Sequence, residues 1–187
     1  MLGLIRGLAD CDERFFCGWV LARAEIAVDG AADDYINAAV AQKPRKVVME
    51  VQGRRGGEVC QRLRTLLVLP RQSLAAKAAG TSFSPAEENS GGLKADIRHV
   101  FTQAEIDEYT ALSGDDNIIH KAGAVRAVVP GLCMAYFLQR ELNLKQLHWI
   151  VSFLSPVFAG DEVCFYRESG CIKAYACGRL VFKIEVQ

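Results

Sequence analysis

A chain of 187 residues, 51% of them hydrophobic and 24% charged, has the composition of a folded globular protein with a substantial core. Its 22 lysine and arginine residues equal its 22 aspartate and glutamate residues, so no overall positive charge exists to hold a nucleic acid or an anionic membrane surface. We therefore expect neither a nucleic acid nor a membrane as a partner.

The first residues and the cysteines indicate a cytoplasmic protein. Arg6 and Asp10 come too early for the apolar segment of a signal peptide, and no run reaches the roughly 18 apolar residues of a membrane span. The seven cysteines form an odd number without a CxxC pair, which is typical of reduced thiols. None of the three histidines has a ligand partner three or four residues further along the chain, so we expect no metal site.

The first part of the chain, residues 1–72, is predicted to be antiparallel sheet. Strands are expected at 18–28, 46–51 and 58–70, where β-branched and aliphatic residues dominate, and the glycines of residues 52–57 predict a hairpin turn. Between the first two strands, Asp33 or Asp34 as an N-cap followed by Tyr35, Ile36, Ala39 and Val40 predicts a short helix over 33–42.

A second composition begins after this sheet. Residues 73–92 are rich in small and polar residues without an apolar period, which predicts a linker. The chain is thus expected to divide into residues 1–72, the linker 73–92, and residues 93–187.

The third part has a more informative order of elements. An extended segment at 95–102 leads to a helix with a capping box of Thr102 and Glu105 and a stop at Gly114. A second helix over 131–144 is apolar on nearly every side, and three or four strands separated by turn residues follow it. A long apolar helix followed by a meander that can wrap around it indicates an α+β hot-dog fold, with an antiparallel sheet around a central helix.

Three short motifs in this part carry a resemblance to a known family. They read SGDDNIIH at 113–120, VPGLCM at 129–134 and FLSPVFAGDEV at 153–163. In this order they resemble the motifs of the MaoC-like (R)-specific enoyl-CoA hydratases and dehydratases of the hot-dog superfamily. The resemblance covers roughly Leu93 to the C-terminus. The first seventy residues carry none of the motifs and resemble a degenerate hot-dog half, so the whole chain is expected to be a reduced double hot-dog.

The resemblance implies a reaction and a set of site residues. Asp115 and His120 would bind one water molecule and transfer its protons. The backbone N–H of Gly131 would donate a hydrogen bond to the thioester oxygen. The expected reaction interconverts trans-2-enoyl and (R)-3-hydroxyacyl thioesters, on coenzyme A or an acyl carrier protein, without metal or organic cofactor. The family also implies association into a homodimer. The expected substrate-binding residues are Asn117, Pro130, Leu132 and Met134.

Departures from the family pattern leave two other functions open. Ile118 stands where the family has proline, Pro130 stands where it has histidine, and Pro130 comes only ten positions after His120. These departures favour a non-catalytic acyl-binding or assembly subunit as one alternative. A hot-dog thioesterase is the other, with a carboxylate and water directed at the carbonyl carbon. Taken singly, Asp115, Asn117 and His120 also fit turn residues and a core histidine.

Other polar residues are interpreted as structural. Asp116 is expected to be a solvated neighbour of Asp115, and His99 and His148 are expected to flank strands without a nearby acid. Arg54 and Arg55 fit a solvated hairpin tip better than a site for coenzyme A phosphates. Met134, Tyr136 and Phe137 form an apolar stripe at helical spacing, which is typical of a core and in this fold can also face an acyl chain.

Overall fold

The computed structural model describes residues 1–11, 18–70, 95–121, 123 and 126–187. The predicted linker, 73–92, lies outside the described residues, and the domain boundaries around it stay a prediction. Helices and strands follow one another in this order: α1 (Leu2–Ala9), β1 (Val20–Val28), β2 (Asp34–Lys43), β3 (Lys46–Arg55), β4 (Glu58–Val68), β5 (Ile97–Val100), α2 (Gln103–Ser113), a 3₁₀ turn (Ile118–His120), α3 (Gly131–Glu141), β6 (Leu147–Phe153), β7 (Glu162–Glu168), β8 (Cys171–Ala176) and β9 (Arg179–Val186).

The strands of the described residues form one antiparallel sheet in the order β2-β3-β4-β1-β6-β9-β8-β7-β5. The two halves of the chain join where β1 pairs with β6, from Arg23 opposite Ser152 to Val28 opposite Leu147. Every strand of the sheet therefore gains backbone hydrogen bonds from a neighbour, and neither half has to stand alone as a small hairpin sheet. The predicted α+β hot-dog fold is confirmed.

Helix α3 supplies the centre of the core, as its apolar composition predicts. Its side chains Met134, Ala135 and Leu138 are at most 3% exposed, and Phe165 and Phe182 of β7 and β9 are completely buried in the same cluster. Burial of such side chains stabilises each by about 1.5–3 kcal/mol relative to exposure. This packing fixes the position of the N-terminus of α3, which becomes part of the site described below.

A short helix at the start of the chain, α1, was not predicted. It packs its buried residues Leu4 and Leu8 on the N-terminal strands. Gly7 permits this approach, because a Cβ atom there would lie 2.7 Å from Cγ1 of Val51. The amide of Asn37 on β2 also donates a hydrogen bond of 2.8 Å to the carbonyl of Gly7.

The helix predicted over 33–42 is wrong, because the segment is strand β2. It pairs with β3 from Asp34 opposite Arg54 to Lys43 opposite Lys46. The open edge of β3 offers this segment a ladder of backbone hydrogen bonds, and that pairing overrides a weak helical pattern. The other hairpin is as predicted, since β3 and β4 are joined by Gly56 and Gly57, both with positive φ. In the described part of the chain, no helix is long and apolar enough to cross a membrane.

Candidate active site

Helix α2 places Asp115 at the edge of the core. It begins with the predicted capping box, in which the backbone N of Glu105 donates to Oγ1 of Thr102 and the backbone N of Thr102 donates to the Glu105 carboxylate. It ends at Gly114, which has the left-handed conformation with φ of 77°. The chain turns sharply there, so that Asp115 leaves the helix axis and faces inward.

The side chains of Asp115 and His120 lie next to each other. Oδ2 of Asp115 is 3.5 Å from Nε2 of His120, and the two side chains are 27% and 8% exposed. Nδ1 of His120 is 2.6 Å from the backbone carbonyl of Val128. Because a carbonyl can only accept, Nδ1 carries a proton and donates it, and Nε2 of the neutral ring is left as an acceptor facing the carboxylate.

Asn117 holds the turn between these two residues. Its backbone N donates to Oδ1 of Asp115 at 3.2 Å, and its Oδ1 accepts a hydrogen bond from the backbone N of Ile119 at 3.4 Å. Its Nδ2 donates to the carbonyl of Trp19 at 3.0 Å, in the N-terminal half of the chain. All of these bonds are made to the protein, so the geometry of Asn117 is that of a structural residue on the wall of the site.

The carbonyl that orients His120 is itself fixed by neighbouring backbone. The N of Val128 donates to the carbonyl of Ile119 at 2.8 Å, and the N of Val129 donates to the carbonyl of Val157, also at 2.8 Å. Val128 and Val129 together thus join the His120 turn to the segment that follows β6. The imidazole is consequently oriented by a carbonyl that has little freedom to move.

An ion pair holds the same segment from outside. Arg126 places Nη2 2.6 Å from Oδ1 of Asp161 and also donates to the carbonyl of Ala159. The other carboxylate oxygen of Asp161 accepts from the backbone N of Phe158 at 3.0 Å. Asp161 is 9% exposed, so this nearly buried carboxylate has its charge satisfied on both sides. It is the aspartate of the third motif, and the structure gives it a positioning contact.

The N-terminus of α3 approaches the same place. Pro130 is the N-cap and contributes no side-chain hydrogen bond. The first N–H groups of a helix have no acceptor within the helix, and they carry its partial positive charge. Gly131 begins this turn, and a Cβ atom there would lie 2.6 Å from Cε1 of Phe153. Glycine is therefore also required so that Phe153 can pack against the helix.

A cavity of about 270 Å³ joins these groups, lined by both halves of the chain. Its walls from the N-terminal half include Leu8, Trp19, Val20, Leu21 and Leu67. Its other walls include every residue predicted for the site, and these residues are Asp115, Asn117, His120, Pro130, Gly131, Leu132 and Met134. Their functional roles stay predictions, and what the geometry adds is that one apolar cavity contains all of them.

A second cavity of about 380 Å³ lies on the other side of the Asp115 turn. Helix α1 contributes Ile5 and Leu8 to it, and α2 contributes Tyr109. Four residues line both cavities and so form the wall that they share, namely Leu8, Asp115, Asn117 and Leu132.

The nearby hydroxyl and thiol are held in their neutral forms. Burial raises the pKa of the Cys133 thiol to about 12, with smaller contributions from Glu105 and Asp115. Burial also raises the pKa of Tyr109 well above its usual value, and the charge of Asp115 adds to this effect. Neither group is therefore a ready nucleophile at neutral pH.

The expectation for the other two histidines is wrong, because each has an acid beside it. Nε2 of His99 is 2.9 Å from Oε1 of Glu105, and Nε2 of His148 is 2.7 Å from Oδ1 of Asp29. Both acids are distant in sequence or hidden in a helix cap, so spacing gave no signal of them. Neither pair lines the cavities around Asp115.

Asp116 agrees with its prediction, since it is 96% exposed and pairs with Lys121 at 3.1 Å, as expected of a solvated neighbour. At the β3–β4 hairpin turn the prediction holds for Arg55, which is exposed. Arg54 is instead half-buried, and it donates a hydrogen bond of 3.2 Å to Oε1 of Gln52. Sequence reasoning missed Leu8, Trp19 and the Arg126–Asp161 pair, since each reaches the site only through long-range packing.

Comparison with solved structures gives the same fold. The chain resembles HtdX from Mycobacterium tuberculosis with a TM-score of 0.67 and 16% sequence identity, over 91% of this chain and 77% of that one. A MaoC-like dehydratase from Phytophthora capsici gives 0.59 at 16% identity, over 91% and 69%. An acyl-ACP thioesterase from Bacteroides thetaiotaomicron gives 0.55 at 11% identity, over 90% and 75%. No protein-family model matches the sequence, and no curated protein matches it.

The fold and the site together define a class of protein. The chain is a hot-dog protein in which both halves share one sheet and one cavity contains an Asp–His pair. The predicted resemblance to MaoC-like dehydratases is confirmed at the level of the fold.

Proposed function

We propose that the protein is an acyl-thioester hydratase or dehydratase that interconverts trans-2-enoyl and (R)-3-hydroxyacyl thioesters. The observation that carries the proposal is the 3.5 Å approach of Asp115 Oδ2 to His120 Nε2 on the wall of an apolar cavity. Both atoms are acceptors, so a water molecule beside the pair can donate one proton to each. The apolar walls suit an acyl chain, which would enter beside the pair.

In the hydration direction, the pair acts on that water. Its oxygen forms a bond to C3 of the enoyl thioester, and one of its protons passes to Nε2 of His120 or to the carboxylate of Asp115. The pair returns a proton to C2, so one water is added across the double bond and the side chains regain their starting state. The fixed Nδ1–H bond from His120 to Val128 stabilises the imidazolium whenever the ring holds the extra proton.

The N-terminus of α3 supports the same chemistry. As the water oxygen bonds to C3, negative charge develops on the thioester oxygen and must be stabilised. The backbone N–H of Gly131 lies at the positive end of the helix, next to a cap that supplies no competing side-chain acceptor. In this proposal the N–H of Gly131 donates a hydrogen bond to the carbonyl oxygen of the thioester. The apolar side chains of Pro130, Leu132 and Met134 contact the acyl group.

A thioesterase is the second candidate, favoured by the fold shared with the acyl-ACP thioesterase. In that reaction the water would attack the carbonyl carbon and release a thiol. The position of His120 beside Asp115, with Nε2 able to accept, favours addition of water at C3 with protonation at C2, because hydration needs both a base and an acid.

One assay separates these functions. Purified protein is mixed with trans-2-enoyl-CoA of short and medium chain length, and the conjugated double bond and free thiol are followed together. Loss of the double bond without thiol release is expected. Thiol release alone would make the protein a thioesterase, and neither signal with retained binding would make it an acyl-binding subunit.

We also propose a cytoplasmic homodimer, although both halves already meet within one chain through β1 and β6. In hot-dog sites of this kind the substrate passes between two such units, and here one chain supplies both walls of the cavity. Sedimentation equilibrium decides the assembly. An active species of one 20.5 kDa chain would contradict the dimer.

A further inference from the structure

The turn between β2 and β3 carries a compact positive charge. Lys43, Arg45 and Lys46 flank Pro44 and are all exposed. Among the described residues, none of the three has a carboxylate partner. Like charges held this close repel one another, and a bound anion would relieve that repulsion.

The sheet register brings this turn to the end of the sheet that lines the first cavity. Lys46 pairs with Val68 of β4, and Val68 pairs with Val20 of β1, which is a wall residue of the cavity. Neighbouring strands lie about 4.8 Å apart, so the backbones of Lys46 and Val20 are separated by about 10 Å.

Arg45 connects the turn to the wall directly. Its Nη2 donates to the carbonyl of Leu69 at 2.9 Å, and the backbone N of Leu69 donates to the carbonyl of Arg45 at 3.0 Å. The next residue, Pro70, lines the cavity. The guanidinium is therefore one residue from the cavity wall, within the distance over which charges act at physiological ionic strength, about 8 Å.

The other basic hairpin lies too far away for this role. Arg54 and Arg55 stand at the opposite end of β3, a strand of ten residues. At about 3.4 Å per residue, they lie about 30 Å from Lys46. The sheet therefore has basic turns at both ends, and only one of them lies beside the cavity.

We infer that the Lys43–Lys46 turn binds the phosphates of coenzyme A when a coenzyme A thioester occupies the cavity. The inference rests on the proposed function and selects coenzyme A over an acyl carrier protein as the thioester carrier. The extended pantetheine arm of that carrier separates the thioester from a diphosphate and a 3′-phosphate. Lysines bind phosphates as mobile point charges, which suits an exposed turn at the end of such an arm.

The test compares two charge-removing variants. Lys43→Gln combined with Lys46→Gln removes two cations and leaves the Arg45 contact with Leu69 intact. Arg54→Gln combined with Arg55→Gln removes two cations from the distant hairpin and serves as the control. For each variant, kcat and KM are measured with an enoyl-CoA and with the matching N-acetylcysteamine thioester, which has no phosphate.

A rise in KM of about tenfold is expected for the coenzyme A substrate in the Lys43/Lys46 variant alone, with unchanged kinetics for the N-acetylcysteamine thioester. Equal KM for the coenzyme A substrate in both variants would overturn the inference. Equal losses with both substrates would also overturn it.

A binding measurement keeps this test independent of turnover. Titration calorimetry with adenosine 3′,5′-bisphosphate should show binding to the native chain and to the Arg54/Arg55 variant, and weaker binding to the Lys43/Lys46 variant. If the protein hydrates no thioester but shows this pattern, the phosphate site stands and the proposed reaction fails. If the three proteins bind the probe alike, or none binds it, the phosphate site fails.

Discussion

The side-chain amide of Asn117 donates a hydrogen bond to the backbone carbonyl of Trp19, 98 positions earlier in the chain. The bond joins the turn that carries Asp115 and His120 to the residue just before β1 in the N-terminal half. The N-terminal half thus lines the cavity and also holds this turn in place. An altered Asn117 should therefore affect both stability and turnover.

We expect Asn117→Ala to lower the free energy of unfolding by about 1–3 kcal/mol and to lower kcat as well, because the Trp19 carbonyl and the backbone N–H of Ile119 both lose their partner. Asn37→Ala is the matched control, since it removes a hydrogen bond from a side-chain amide to the Gly7 carbonyl, and neither residue lines the cavities. Urea denaturation and steady-state kinetics measure both effects. If the two variants lose stability and turnover in equal proportion, the bond to Trp19 has no special role in the site.

The Asp115–His120 pair should carry the proton transfers. Asp115→Asn and His120→Ala are each expected to lower kcat by about 100-fold or more, because a general acid or base typically contributes that much. Asp116→Asn is the control, since Asp116 is 96% exposed and pairs only with Lys121 in the described structure. Circular dichroism checks that each variant is folded. Near-normal rates in both site variants would exclude the proposed reaction.

The sequence predicted the helices around these residues because their signals are local. The Thr102 capping box, the Gly114 stop and the apolar run of α3 each depend on residues a few positions apart, and each is found as expected. The 3₁₀ turn that contains His120 lies between the two helices in the chain. The motif residues then converge, because α2 and α3 are both fixed by the same core.

What the sequence did not predict depends on distant contacts. Strand β2 has a helical pattern, and the edge of β3 decides its conformation. Helix α1 is only eight residues long, too short to be stable without the sheet beneath it. The Asn117 bond to Trp19 and the Arg126 pair with Asp161 span 98 and 35 positions, and no sequence period relates their partners.

The Arg126–Asp161 pair should act as a positioning device for His120. Asp161→Asn removes the charge that holds Arg126 beside Val128, so the carbonyl that orients the imidazole gains freedom. We expect kcat to fall by about tenfold with little change in KM. Glu162→Gln is the control, because it breaks an exposed pair with Arg98 instead.

The pH profile of kcat distinguishes positioning from simple loss of stability. A shift of the pH profile in Asp161→Asn, at temperatures where the variant is fully folded, would show that the environment of the His120 imidazole has changed. An unchanged profile with lower thermal stability would show that the pair only holds the fold.

Glu105 should make the start of α2 sensitive to acid. Burial raises the pKa of its carboxyl. The hydrogen bonds from Thr102 and the contact with His99 together lower the pKa by more than burial raises it, so the net pKa is lowered. A carboxyl with a lowered pKa in the folded state stabilises the protein at pH values above its ordinary pKa of 4.5. This stabilisation is lost as the pH falls through the pKa of the folded state. Glu105→Ala should therefore be less stable than the native chain at pH 7, and the difference should shrink in acid.

Thermal unfolding at several pH values measures this difference. Glu108→Ala, on the exposed side of the same helix, is the control and should show no such pH dependence. A difference between Glu105→Ala and the native chain that stays constant from pH 7 to pH 3 would contradict the assignment.

The wall between the two cavities should limit the length of the acyl chain. Leu8 is 6% exposed and lines both cavities, so Leu8→Ala removes part of the wall and joins the second space of about 380 Å³ to the first. Leu4→Ala is the matched control, because Leu4 is a fully buried leucine of the same helix that lines neither cavity. Both changes should cost about 2–5 kcal/mol of stability. Only Leu8→Ala should raise kcat/KM for long-chain relative to short-chain enoyl-CoA, and an equal ratio in the two variants would show that the second cavity takes no part in acyl binding.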